Sequence, residues 1–186
     1  MSESLPVEHG APTLAGIKTG NLFSCSVADE ADLTRTLCAL NRRLGPHGVC
    51  ILPMRVSDGR ALIYLYRPDM LRRDLADARA REMLARRGYP VGKTGQCVAH
   101  LREVLRRGAE FPHEIGLFLG YPVEDVEGFI RHGAQGAKWT GVWKVYGDVD
   151  SARARCEAFR RCTRRCRAEY DRHHTIERLV AEGTRA

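Results

Sequence analysis

The chain has no Cys-x-x-Cys pair, no low-complexity tract, no internal repeat and no apolar run near the length of a membrane span. Its longest apolar stretches are like Ala61–Tyr66, far short of the roughly 20 residues a transmembrane helix needs. The opening MSESLPVEHG has neither a basic start nor a long apolar stretch, so no secretion signal is read there. A cytoplasmic protein without membrane contact is therefore expected. Its seven cysteines are odd in number and lack an export signal. They are expected to be reduced thiols serving as small core residues, not a disulfide framework.

Lysine is also scarce. Of 30 basic residues only Lys18, Lys93, Lys138 and Lys144 are lysines; the rest are arginines. The net charge of +7 suits anionic partners in general, but an arginine excess of this kind also reflects composition bias. The arginines at 153, 155, 160, 161, 164, 165 and 167 surround one expected helix instead of forming a face, and no helix-turn-helix or stacking motif accompanies them. Nucleic-acid binding is thus the weakest partner reading. Lys18, Lys138 and Lys144 stand apart, because they sit in Gly- and Trp-containing stretches where a compact, titratable amine is not interchangeable with arginine.

A length of 186 residues with 44% apolar content fits one domain with an ordinary core, placed at about residues 7–181. Pro12 reads as the start of a short helical turn to Ile17, followed by a strand over 21–25. Ser26 or Asp29 caps a helix to Leu44 with Leu33, Leu37, Leu40 and Leu44 on one stripe. Ser57-Asp58-Gly59 between two apolar runs is a hairpin signal. Helices are expected over 68–88, 94–107, 122–130 and from Asp148 or Asp150 to about Arg172, with strands at 115–119 and 142–146. The sum is an α+β single domain: a small mixed, mostly antiparallel sheet flanked by several helices.

Catalytic motifs are incomplete. Gly92-Lys93-Thr94 lacks the preceding strand and the correctly spaced glycine of a phosphate loop. His113-Glu114 lacks the second histidine of a zinc-protease helix, since Leu117 occupies that position. As a pair His113 and Glu114 could still exchange protons, although a structural histidine is the more ordinary reading. Cys162, Cys166 and His173 fall on one helical stripe and could ligate zinc or iron, but Phe159, Tyr170 and Ile176 extend that stripe as a core face. Both tryptophans lie in Lys138–Asp148. In an extended strand Trp139, Gly141, Trp143 and Val145 share one face, while Thr140, Val142, Lys144 and Tyr146 share the other and could grip an anion.

Three stretches carry a resemblance: EHGAPTLAGIKTGNLF from Glu8, FPHEIGLFLGYP from Phe111 and WKVYG from Trp143. Together they look like domain-of-unknown-function family 3793, small proteins of anaerobic bacteria, over about Val7 to Leu179. The resemblance implies a single-domain bacterial protein and brings no reaction with it, although it hints at iron or redox physiology. It also implies a cysteine after the histidine matching His9, where this chain has Gly10. Such a thiol at a helix N-terminus would be a nucleophile or metal ligand, which glycine cannot be.

The leading reading is a protein that binds or processes a small anionic ligand, with enzymatic activity left open and no cofactor named. Lys18, Asn21, Lys144 and Tyr146 would hold the ligand, and His113 with Glu114 would move protons. The alternatives are an iron- or redox-linked metal-binding adaptor using Cys162, Cys166 and His173, and nucleic-acid binding through the Arg-rich helix. A protein partner or self-association is also left open.

Overall fold

The computed structural model describes residues 2–108 and 111–183, with side chains to residue 180 in the last helix. In chain order the elements are α1 (Ser4–Leu14), β1 (Gly20–Ser26), α2 (Glu30–Leu44), β2 (Cys50–Ser57), β3 (Arg60–Tyr66), α3 (Pro68–Asp74) and α4 (Ala78–Ala85). They continue with α5 (Thr94–Arg107), α6 (Ile115–Phe118), α7 (Val123–His132), β4 (Trp139–Thr140), β5 (Lys144–Val145), α8 (Val149–His173) and α9 (Ile176–Gly183). The fold is α+β, and every strand pairing among the described residues is antiparallel. No helix among them is long and apolar enough to cross a membrane.

Two compact units emerge, Met1–Met70 with Arg161–Ala186, and Leu71–Arg160. Both boundaries fall inside helices, in α3 and α8, so no linker composition marks them.

The first unit is built on the sheet β1-β3-β2. Its hairpin turns on Asp58 and Gly59, both at positive φ (53° and 69°), as a two-residue turn matching strand twist requires. Pro53 lies on an edge strand beside a bulge, where a missing N–H costs no central ladder bond. On α2 the expected leucine stripe is buried, and Asp29 caps the helix by accepting the N–H of Ala31 at 2.9 Å. The Asn41 amide extends this helix to the sheet: it donates to the Ile51 carbonyl at 2.7 Å and accepts the Ile51 N–H at 2.9 Å. The core joins Val7, Ala11 and Leu14 of α1 to these leucines, to Ile51, Ile63 and Leu65, and to Ile176, Leu179 and Val180.

The N-terminal helix corrects the sequence expectation. It begins at Ser4, not Pro12, and Pro12 lies inside it. Pro6 falls in the first turn, where an N–H has no partner anyway. Val7, Ala11 and Leu14, one face at helical spacing, are at most 1% exposed, and this burial outweighs the breaker residues. The end is a Schellman motif: Gly16 at φ 77° donates to Thr13, and Ile17 donates to the Pro12 carbonyl at 2.9 Å. Arg67 adds its guanidinium to the Thr13 and Leu14 carbonyls.

In the second unit three more expectations change. The apolar run at 115–119 is helix α6, not a strand. All four of its residues are buried, so no periodicity separated the two readings. It stops at Gly120, φ 72°, with the Tyr121 N–H on the Gly116 carbonyl at 3.0 Å. The stretch 68–88 is two helices, because the Asp77 carboxylate caps a new one through Arg79 and Ala80 N–H groups at 2.9 and 3.0 Å. The strand expected over 142–146 shrinks to Lys144–Val145, paired with Trp139–Thr140. Trp143, Val145, Ala152, Cys156 and Phe159 form the local core.

Candidate functional site

A cavity of about 250 Å³ opens in the second unit between the α6 segment, α7 and the β5 hairpin. Ile115, Gly116 and Leu119 come from α6 and its exit, Val126 and Phe129 from α7, and Trp143 from the hairpin. His113 and Lys144, two of the sequence candidates, line this same cavity. The exposed His113 ring meets Phe129 edge-on at 4.8 Å. Lys144 is half-buried, with its ammonium donating to Thr140 Oγ1 at 3.1 Å. A largely aromatic and aliphatic hollow thus has His113, Lys144 and the buried Asp125 as the ionisable residues of its lining.

The wall is rigid because of one carboxylate. Asp125, in the first turn of α7, is 3% exposed. Its Oδ2 accepts the Trp143 indole N–H at 2.6 Å, while Oδ1 accepts the backbone N–H groups of Tyr146 and Gly147 at 2.7 and 2.8 Å. Three donors converge on one buried carboxylate, which sets the hairpin against α7. The Trp143 ring stacks on Tyr121 with centroids 5.1 Å apart, and Arg155 lies over it at 5.5 Å while donating to the Gly120 carbonyl. Burial pushes the Tyr121 phenol up to about 12, so it stays neutral and apolar in character at ordinary pH. Gly116 completes the floor: a Cβ there would come 2.7 Å from Val126 Cγ2, so only glycine lets α6 and α7 approach this closely.

Glu114 points to a different set of partners. It is 7% exposed, accepts the Tyr89 hydroxyl at 2.9 Å and pairs with Arg87 Nε at 3.4 Å. Tyr89 also touches His100 ring to ring at 4.3 Å, and its burial beside Glu114 raises its phenol strongly. The adjacent residues His113 and Glu114 therefore serve separate surroundings, cavity and polar cluster. Tyr146 packs over Gly128 and donates its hydroxyl to the Gly133 carbonyl.

Lys18 and Asn21 belong to the first unit. Lys18 is 3% exposed with its ammonium on the Gly20 carbonyl, and Asn21 Oδ1 accepts the Thr13 hydroxyl at 2.8 Å. Gly10 corrects the helix-end argument attached to it. It lies in the later half of α1, not at an N-terminus, and a Cβ there would come 2.3 Å from Leu65 Cδ2. Cys162 and Cys166 sit with their sulfurs 3.9 Å apart, and the exposed His173 pairs with Glu169 at 3.2 Å. Among the described residues no group of three or more His, Cys, Asp or Glu could hold a metal ion. The arginines of α8 are partly engaged: Arg153 lies over Trp139 at 5.7 Å, and Arg160 and Arg172 pair with glutamates three residues before them.

Sequence reasoning missed Asp125 as the organiser, because an acidic residue in a first helical turn is explained by the helix dipole alone. Its distinguishing mark is complete burial, which no local pattern reports. Tyr121 and Phe129 escaped for a similar reason, since single aromatics in apolar stretches read as core.

A family model described as "Protein of unknown function (DUF3793)" matches residues 7–180. No curated protein and no solved structure matches the chain.

Proposed function

Since the chain belongs to the DUF3793 family of proteins of unknown function, its site must speak for itself, and we propose that it binds a small, mostly apolar anion in the cavity carrying His113 and Lys144. The observation that carries this reading is that Lys144 and His113 line one cavity with walls from Phe129, Trp143, Tyr121, Leu119 and Val126. A hollow of about 250 Å³ exceeds the ~150 Å³ that houses a benzene ring. It suits an aromatic ring or branched chain with a short acidic arm. Desolvating the apolar body supplies affinity, and the Lys144 charge selects an anion over its neutral analogue. His113 offers a second N–H at the mouth. Proton transfer by His113 is compatible with this placement, whereas Glu114 acts through its hold on the α6 segment.

Thermal-shift measurements with phenylacetate, 3-phenylpropionate and isovalerate, each against its neutral amide, test the reading. A bound acid raises the melting temperature by mass action, and the amide does so much less. Lys144→Met, which keeps the stem and removes the charge, lowers affinity for the acids about tenfold and leaves the amides unchanged. Equal shifts for acid and amide, or none with any probe at millimolar concentration, would sink it.

A further inference from the structure

We propose that Cys162 and Cys166 form a two-thiolate site for a single soft monovalent cation, with cuprous copper as its biological representative. The two residues are one helical turn apart on α8, so their side chains leave the same face. Their sulfurs lie 3.9 Å apart. Two metal–sulfur bonds of about 2.3 Å span up to about 4.6 Å, so side-chain rotations that open the pair by less than about 1 Å would seat one ion between the sulfurs. A disulfide needs sulfurs at about 2.05 Å, and the helix backbone opposes that closure.

The surroundings choose the ion. Zinc and ferrous iron want four or more ligands, and among the described residues no third His, Cys, Asp or Glu completes such a group. Soft, low-charge ions accept thiolates alone. Cys166 is 7% exposed in the apolar core of the first unit, whereas Cys162 is partly exposed and offers an entry. Binding replaces two S–H protons with one cation, so two protons leave per ion and no electron moves. This site belongs to the first unit and the proposed anion cavity to the second, so neither proposal depends on the other.

The experiment titrates reduced full-length protein, without oxygen, with cuprous ion against bicinchoninate as a coloured competitor. The native chain is expected to withdraw one more equivalent of copper than the Cys162→Ser/Cys166→Ser double variant, with release of two protons. Cys38→Ser, which removes an exposed thiol elsewhere, should keep that equivalent. Cys162→Ser alone guards against misfolding, because it alters the partly exposed sulfur and spares the buried one; with native circular dichroism, it too should lose the equivalent. Equal copper uptake by native and double-variant proteins overturns the proposal.

Discussion

The Trp143 indole N–H donates to Asp125 Oδ2 at 2.6 Å, and this one bond ties the hairpin that carries Lys144 to the helix that carries Phe129. The other Asp125 oxygen takes two backbone N–H groups, so the carboxylate has three donors in a nearly water-free place. Asp125→Ala strands all three, each costing roughly 1–3 kcal/mol. A loss of at least about 3 kcal/mol is expected in urea unfolding followed by tryptophan fluorescence. Both tryptophans lie in the second unit, so the signal reports on that unit directly. A loss below about 1 kcal/mol would refute the anchoring role.

Glu114 and Tyr89 form the second polar anchor. Tyr89→Phe removes one donor and leaves the carboxylate with Arg87, at a cost of about 1 kcal/mol. Glu114→Ala is expected to cost more, roughly 2–4 kcal/mol, because it strands a buried hydroxyl and opens space beside α6. Denaturant midpoints of the two variants check the order. The reverse order would assign the stabilisation to the Tyr89 ring contacts instead.

Gly10 makes a packing prediction. Gly10→Cys drives a new Cβ into Leu65 Cδ2, and overpacking of this kind costs about 1–3 kcal/mol. Leu65→Val in the same chain withdraws the clashing end and should recover part of the loss. Thermal melts by circular dichroism compare the single and double variants. Additive losses would show that the two positions do not collide.

Arg43 gives the first unit a pH dependence. Its guanidinium bonds both Glu177 and Glu3, and the Arg43 hydrogen bond holds the Glu177 carboxyl below the usual carboxylate range. A depressed carboxyl stabilises the fold above its unfolded pKa, and that contribution is lost as pH falls below about 4.3 toward the folded value. The groups are partly exposed, so the effect is modest, about 1 kcal/mol. Glu177→Gln should lower stability at pH 7 and flatten its decline in acid, read as melting temperature against pH. An unchanged acid slope would exclude the pair as its source.

Legibility followed the range of the forces. The α2 stripe, the Asp-Gly hairpin and the 94–107 helix were readable because their signals are periodic or local. At α1 the breakers Pro6, Gly10 and Pro12 hid a helix that burial of Val7, Ala11 and Leu14 sustains. At α6 burial on every side erased the periodicity that separates helix from strand. The stretch with both tryptophans was noticeable, yet its strand alternation extends over only two residues, since Asp125 and not a long ladder holds it.

From composition and pattern alone came the α+β class, the family resemblance, and His113 and Lys144 as residues of interest. Those are properties of residue type and short spacing. Only the tertiary structure brought the two to one cavity, turned Glu114 toward Tyr89 and Arg87, and put the Cys162 and Cys166 sulfurs at 3.9 Å. The reason is physical: which way a side chain faces depends on packing between segments distant in sequence, and Asp125 exerts its hold across 18 residues to Trp143.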